Sequence, residues 1–191
     1  MILVDIPTCK KQTGGILFDN QYLPTNSQAV TIRTMQLEDI SSINLMHDRL
    51  SKESLNYRYF TSYKPTLEAI REQAHLSKSR GTAFVAVSQG PAKEIVGLAY
   101  YIFTPDDVHV AEPAVLIEDR FQGQGLGRAL MERLVGEAQD QGVTCFHLYV
   151  SPGNQRILQV LEQSGLPLER YYRDGILEIW QSLGIGQCMP I

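Results

Sequence analysis

At 191 residues, with 43% hydrophobic and 20% charged side chains, the chain is long and apolar enough for one packed domain. A net charge of -4 argues against a general nucleic-acid binder, which would present a basic surface. No stretch approaches the ~20 consecutive apolar residues of a membrane span, so no membrane partner is expected.

The opening MILVDIPTCKK has no basic leader, and Asp5 and Pro7 interrupt its apolar run, so it does not read as a signal peptide. Residues 1–29, punctuated by Pro7, Gly14, Gly15 and Pro24, are expected to form an irregular arm or lead-in. Cys9, Cys145 and Cys188 are odd in number and widely spaced, with no C-x-x-C pair. That pattern leads us to expect no disulfide framework, no metal site and a reducing, cytoplasmic location. Cys145, inside an apolar run, reads as a small buried hydrophobe.

Regular patterning begins at Val30, where residues 30–35 alternate at the strand period. A helix follows with Ile40, Ile43, His47 and Leu50 on one face and Glu38 and Asp39 at its start. A second helix is predicted over 66–78, stopped by Gly81. Strands at 82–88 and 95–103 flank a turn at 89–93, and a third strand covers 108–117. Pro113 cannot donate to a ladder, so an edge, a bulge or a divergence of strands is expected there. Leu126, Leu130, Leu134 and Ala138 then repeat at i, i+4, giving a helix over 125–141 that ends at Gly142. Residues 145–150 form a buried-type strand, 154–164 a helix, and Asp174-Gly175 turns a hairpin within 171–177. The fold class is α/β: a mixed, mostly antiparallel sheet with helices on both faces. Domain limits are set at 30–183, with 184–191 as a tail.

Between the third strand and the long helix lies Glu118-Asp119-Arg120-Phe121-Gln122-Gly123-Gln124-Gly125-Leu126-Gly127-Arg128. Glycines admit a ligand close to backbone N–H groups, and a helix start adds unsatisfied donors, so this is an anion site. Arg128 in the first turn opposes the helix dipole unless an anion sits nearby. No Walker loop is present: the loop has no lysine, and Lys78-Ser79 is preceded by Ser77 rather than by the glycine the motif needs. The dinucleotide fingerprint fails at Arg128 or at Leu130, depending on its starting glycine. What remains is Q/R-x-x-G-x-G/A, met by Gln122, Gly125 and Gly127.

On this loop and the element order around it, residues 30–181 resemble the GNAT superfamily of acyl-CoA N-acyltransferases. The resemblance implies a GNAT fold in which the strands beside the long helix splay and pantetheine inserts between them. It implies pantetheine contacts at Val115, Leu116 and Ile117, and a pyrophosphate cradle from Gln122, Gly123, Gln124, Gly125, Leu126, Gly127 and Arg128. It also places Asn154 against the cofactor's arm. The runs AEPAVLIEDRFQGQGLG and LSKESLNYRYF look like the bacterial Pat-type protein lysine acetyltransferases. Leu161 stands where many GNAT members keep a tyrosine general acid, a departure shared with the Pat-like group.

The implied reaction moves acetyl from acetyl-CoA to a primary amine, either a protein lysine or a small molecule. A lysine amine of pKa ~10.4 must lose a proton, and Glu112 matches the Pat-like base. Ala111, Pro113 and Ala114 are expected to desolvate Glu112 and raise its pKa. The rival from another class is a catalytically silent acyl-CoA sensor. Glu118 and Asp119 read as loop solvation, with Glu118 the reserve base, and Asn154 also as a helix cap. His147 reads as a satisfied core histidine, Tyr171 and Tyr172 as hairpin packing, and His109 as a residue that could line the substrate side.

Overall fold

In the computed structural model, residues 11–12, 15–18, 21–24, 29–184 and 188 are described. Among the described residues ten strands form one sheet in the order β1-β2-β3-β4-β5-β6-β7-β8-β10-β9. They are β1 (Lys11–Gln12), β2 (Gly15–Phe18), β3 (Gln21–Pro24), β4 (Val30–Thr34), β5 (Gly81–Ser88) and β6 (Ile95–Phe103), then β7 (Val110–Ile117), β8 (Cys145–Val150), β9 (Leu168–Arg173) and β10 (Ile176–Ser182). Every neighbouring pair is antiparallel except β7 and β8. The helices are α1 (Ile40–Asp48), α2 (Lys52–Tyr59), α3 (Leu67–Arg80), α4 (Leu126–Asp140) and α5 (Gln155–Gln163).

The period of each apolar stripe decides which face its helix covers. Leu126, Leu130, Leu134 and Ala138 of α4 bury against Phe84, Ala86, Val96 and Ile117, joined by Leu158 and Leu161 of α5. On the opposite face Ile43 and Met46 of α1 and Ile70 of α3 pack on Val85, Leu98, Tyr100 and Leu116. The even-numbered residues of β7 thus face α1 and α3, and the odd-numbered ones face α4. The crossover from β7 through α4 to β8 is the single parallel connection among the described strands, and it brings the glycine loop to one end of the sheet.

Three expectations change. The irregular arm expected at 1–29 contains β1 to β3, which pair in sequence and add to β4, so this segment extends the sheet. A helix was missed at α2, because only Leu55 marks an apolar face in a run otherwise rich in polar residues. Its signals were of the other kind: Ser51 caps it by accepting from Ser54 N, with Glu53 in the first turn and Arg58 in the last. Cys145 is buried as expected, but it is disulfide-bonded to Cys188 with Cα atoms 5.6 Å apart. The cysteines therefore no longer argue for a reducing compartment; Cys9 lies outside the described residues. The hairpin at Asp174-Gly175 is present, with φ of 50° and 80° at its two turn residues. Among the described residues no helix is long and apolar enough to cross a membrane.

Leu130 is fully buried where α4 crosses the sheet. Leu130→Ala is expected to cost about 3 kcal/mol, read as a lower urea midpoint at unchanged slope.

Candidate active site

The site begins where a ladder stops. Thr104 N donates to Val110 O, and Glu118 N to Val96 O, at 2.9 Å each. Alternation between these two fixed points turns the backbone groups of Glu112, Ala114 and Leu116 toward β6, and those of Pro113, Val115 and Ile117 toward β8. On that side β7 pairs with β8 only at Val110–Cys145 and Ala111–Phe146. The next residue owing a donor to β8 is Pro113, which has none. The expected divergence is therefore observed, and its position follows from the missing N–H. Of the three residues expected to offer backbone groups to a ligand, Val115 and Ile117 direct theirs toward the gap, with Ile117 O already accepting from Gln122, whereas Leu116 directs its groups to β6.

The opened strands enclose a cavity of about 380 Å³. Val115 and Ile117 form one wall, Leu148 and Val150 of β8 the other, and Met131 and Val160 the floor beneath. Helix α2 spans the front, where Tyr57 Oη donates to Gly153 O at 3.1 Å. At one end of the cavity lies the glycine loop. Gly125 is the N-cap of α4 at φ 87°, and no side chain caps the helix. Helices α2, α3 and α5 all carry side-chain caps, from Ser51, Thr66 and Asn154. Its first intrahelical bond is Ala129 N to Gly125 O, so the turn of Leu126, Gly127 and Arg128 directs its N–H groups out of the helix end. A Cβ at Gly123, φ 70°, would meet nothing within 4 Å. Open space, left-handed glycines and an uncapped helix start together suit a phosphate.

The loop's side chains brace it rather than face outward. Gln122 Nε2 donates to Ile117 O at 2.8 Å and Ser54 Oγ at 3.0 Å, while its Oε1 accepts from Arg156. Gln124 folds back onto Arg120 O at 2.7 Å. Arg128 pairs with Glu132 at 2.9 Å, one turn on, and still borders the cavity. Asn154 borders it too and caps α5, its Oδ1 accepting from Ile157 N at 3.3 Å. Arg156 was not singled out by sequence; its position two residues after the cap was the available signal.

Glu118 and Asp119 are not loop solvation. Glu118 is 3% exposed, held by Arg49 Nε at 2.9 Å and by Arg120. With both oxygens engaged it has no free face, which removes it as reserve base. Asp119 accepts from Ser51 Oγ at 2.7 Å, Ser51 N at 3.0 Å and Ser54 Oγ at 3.0 Å. Burial pushes its carboxyl up, but these bonds outweigh burial and hold it below the usual carboxylate range. These contacts tie the start of α2 to the loop.

Glu112 sits next to Pro113 at the point of divergence, on the face of α1 and α3, and is exposed. The expected desolvation by its neighbours is absent. His147 is 8% exposed and satisfied, with Nε2 2.9 Å from Glu178 and its ring stacked 3.9 Å from Trp180. His109 bonds Gly142 O at the opposite end of β8 and does not border the cavity. Tyr171 bonds Glu169 at 2.6 Å, but Tyr172 is 68% exposed and packs little. Leu161, at the position of the missing tyrosine, is fully buried in the α4 face. Among the described residues no cluster could hold a metal ion.

Comparison with known proteins adds an independent line. The model of the acetyltransferase (GNAT) family matches residues 48–166. A mycothiol acetyltransferase of Jonesia denitrificans is 35% identical over 78 residues, which are 40% of this chain and 25% of that protein. The GNAT domain of Streptomyces lividans PAT superposes with a TM-score of 0.70 at 22% identity, over 81% of this chain and 90% of that one. A putative acetyltransferase of Salmonella typhimurium, solved with acetyl-CoA, gives 0.67 at 18% identity over 82% and 95%. A phosphinothricin acetyltransferase of Sinorhizobium meliloti, in complex with acetyl-CoA, gives 0.65 at 18% identity over 84% and 92%. At these identities the structures show a common fold.

Behind α2, His47 is 2% exposed and fully bonded, Nδ1 to Ile43 O at 2.8 Å and Nε2 to Tyr59 Oη at 2.7 Å. A ring whose Nδ1–H donates to a carbonyl and whose Nε2 accepts from a phenol is neutral. Burial is the main cause that lowers its pKa, and the nearby Arg58 and Lys64 charges add to it. The unfolded chain thus binds this proton more readily than the folded one. His47 therefore stabilises fully above its unfolded pKa of ~6.5, and the contribution is lost as pH falls toward the lowered folded value. Urea unfolding from pH 8 to 5 should show stability declining below about pH 6.5, with a shallower decline in His47→Gln.

Proposed function

Because the chain belongs to the acetyltransferase (GNAT) family, we propose that it transfers acetyl from acetyl-CoA to a primary amine. The transferase domain is assigned to residues 30–183, with 1–29 as a lead-in and 184–191 as a tail. Residues 123–128 cradle the pyrophosphate, with Gln122 bracing the cradle. The pantetheine arm lies between β7 and β8 against backbone groups of Val115 and Ile117, beside the Leu116 backbone and Asn154. One observation supports this reading above the rest: a single cavity runs from an uncapped helix start to a pair of strands that part.

When bound, acetyl-CoA supplies a thioester: the amine nitrogen bonds its carbonyl carbon, the C–S bond breaks, and the thiolate (thiol pKa ~8.5) leaves without a dedicated acid. Glu112 takes the proton the nitrogen must lose, and its exposure lets it pass that proton on to water. Leu161 contributes packing rather than a proton. A protein lysine and a small-molecule amine both fit this reaction.

Gly125→Val places a β-branched residue at a φ it rarely adopts and a side chain beside the phosphates. Acetyl-CoA affinity is expected to fall about tenfold or more, by calorimetric titration of a variant shown to be folded by circular dichroism. Unchanged affinity would remove the cradle assignment. Glu112→Gln keeps size and loses the acceptor for the proton, so acetyl-CoA binding survives while turnover falls about 100-fold at neutral pH. Raising the pH rescues the variant in part, since more amine then arrives deprotonated. Thiol release against pH checks this; superimposable profiles for wild type and variant would clear Glu112 of the role, and no release with any amine would favour a sensor.

A further inference from the structure

Helix α2 carries a cation that the reaction as described does not use. Ser54 in its first turn reaches Gln122 at the loop, and Arg58, one turn later, lies over Tyr100. Tyr100 pairs with Ala114, three residues up β7 from Ile117, a distance of about 10 Å. Arg58 and Ala114 border the same cavity as the loop but at its other end, where β7 leaves β8. Arg58 therefore stands where the acceptor arrives, away from the donors assigned to phosphate.

Its guanidinium is fixed in place. The Cζ atom lies 4.8 Å from the Tyr59 ring and 5.4 Å from the Tyr100 ring, and Nη2 donates to Tyr100 Oη. Tyr59 is itself anchored through its hydroxyl to His47. Arg58 is half-buried, yet among the described residues no carboxylate lies within ion-pair distance of it. Arg33, Arg49, Arg120 and Arg170 have such a partner; Arg156, which also lines the cavity, has no ion pair among the described residues either, but it sits at the loop and donates to Gln122. A partly desolvated guanidinium with donors to spare is costly unless an anion completes it. The nearest acid along β7 is Glu112, two residues from Ala114 on the same face, and it is not paired with Arg58. Glu112 itself does not line the cavity, whereas Arg58 does.

We propose that Arg58 binds a carboxylate of the acceptor, so that the substrate is an amine bearing a carboxylate, such as an amino acid, rather than a lysine-rich peptide. The planar fork of the guanidinium matches a carboxylate in two parallel hydrogen bonds. Its positive charge repels a polycationic peptide and disfavours the protonated form of any amine beside it. This inference rests on the acetyltransferase reading above and narrows it to a substrate class.

The test measures thiol release from acetyl-CoA by the purified protein with matched acceptors, each of a set of amino acids against its own primary amide, and with a lysine-rich peptide. The amide holds more free amine at neutral pH, because a neighbouring carboxylate favours the ammonium form, so ionisation alone predicts the opposite preference. The acid is expected to exceed its amide about tenfold or more in kcat/KM. In Arg58→Gln the acceptor KM should rise by about that factor and the preference vanish, with KM for acetyl-CoA held within about twofold. Tyr100→Phe, which removes the bond that orients Arg58, should shift the preference the same way by less. The wild-type comparison needs no variant, so a poorly folded Arg58→Gln leaves the test intact. Equal or better use of the amides, a preference that survives Arg58→Gln, or turnover of the peptide alone would each overturn the proposal. Failure to bind acetyl-CoA at all would instead overturn the acetyltransferase reading on which it rests.

Discussion

Two parallel strands that share only two residue pairs shape everything around the site. Strand β8 makes a six-residue ladder with β10, and β7 a seven-residue ladder with β6. Each is therefore held on its outer side, and the two can part between them without leaving the sheet. The parting falls where Pro113 would owe β8 a hydrogen bond it lacks. Unpaired backbone groups in such a gap are costly unless something meets them. Gln122 meets one by donating to Ile117 O, which makes the first residue of the loop motif a brace for the strand before it.

The electrostatics of the loop follow from that arrangement. A helix start that receives an anion is weakened by nearby carboxylates, and two of them, Glu118 and Asp119, precede it directly. The fold pairs the first with cations and engages the second in hydrogen bonds. Arg49 and Arg120 enclose Glu118, and the hydroxyls of Ser51 and Ser54 turn Asp119 into a cap for the loop between α1 and α2. The same contacts fix α2 across the front of the cavity, so one set of polar bonds protects the anion site and roofs it. Because α2 then runs toward the divergence, its last turn brings Arg58 over Tyr100, at the cavity's other end from the loop.

Much of this was present in the sequence because it is local. The i, i+4 stripe of α4 dictates its burial, Asp174-Gly175 dictates the last hairpin, and the glycines of residues 123–127 dictate an anion-ready helix start. Even the divergence at Pro113 needs only a proline's missing donor. What the sequence left open concerns partners distant along the chain. Glu118 reads as a surface acid until Arg49, 69 residues away, closes on it. Nothing along the chain singles out Arg58 until β6 brings Tyr100 beneath it, 42 residues on. Cys145 and Cys188 read as unrelated thiols until the fold brings Cys188 to β8. Periodicity, caps and turns are set by neighbouring residues, so the sequence determined the elements and the loop that meets an anion. Ion pairs, cation–aromatic stacking and burial are set by which elements the sheet places side by side, so only the tertiary structure decided which charges are paired and which stand without an ion pair.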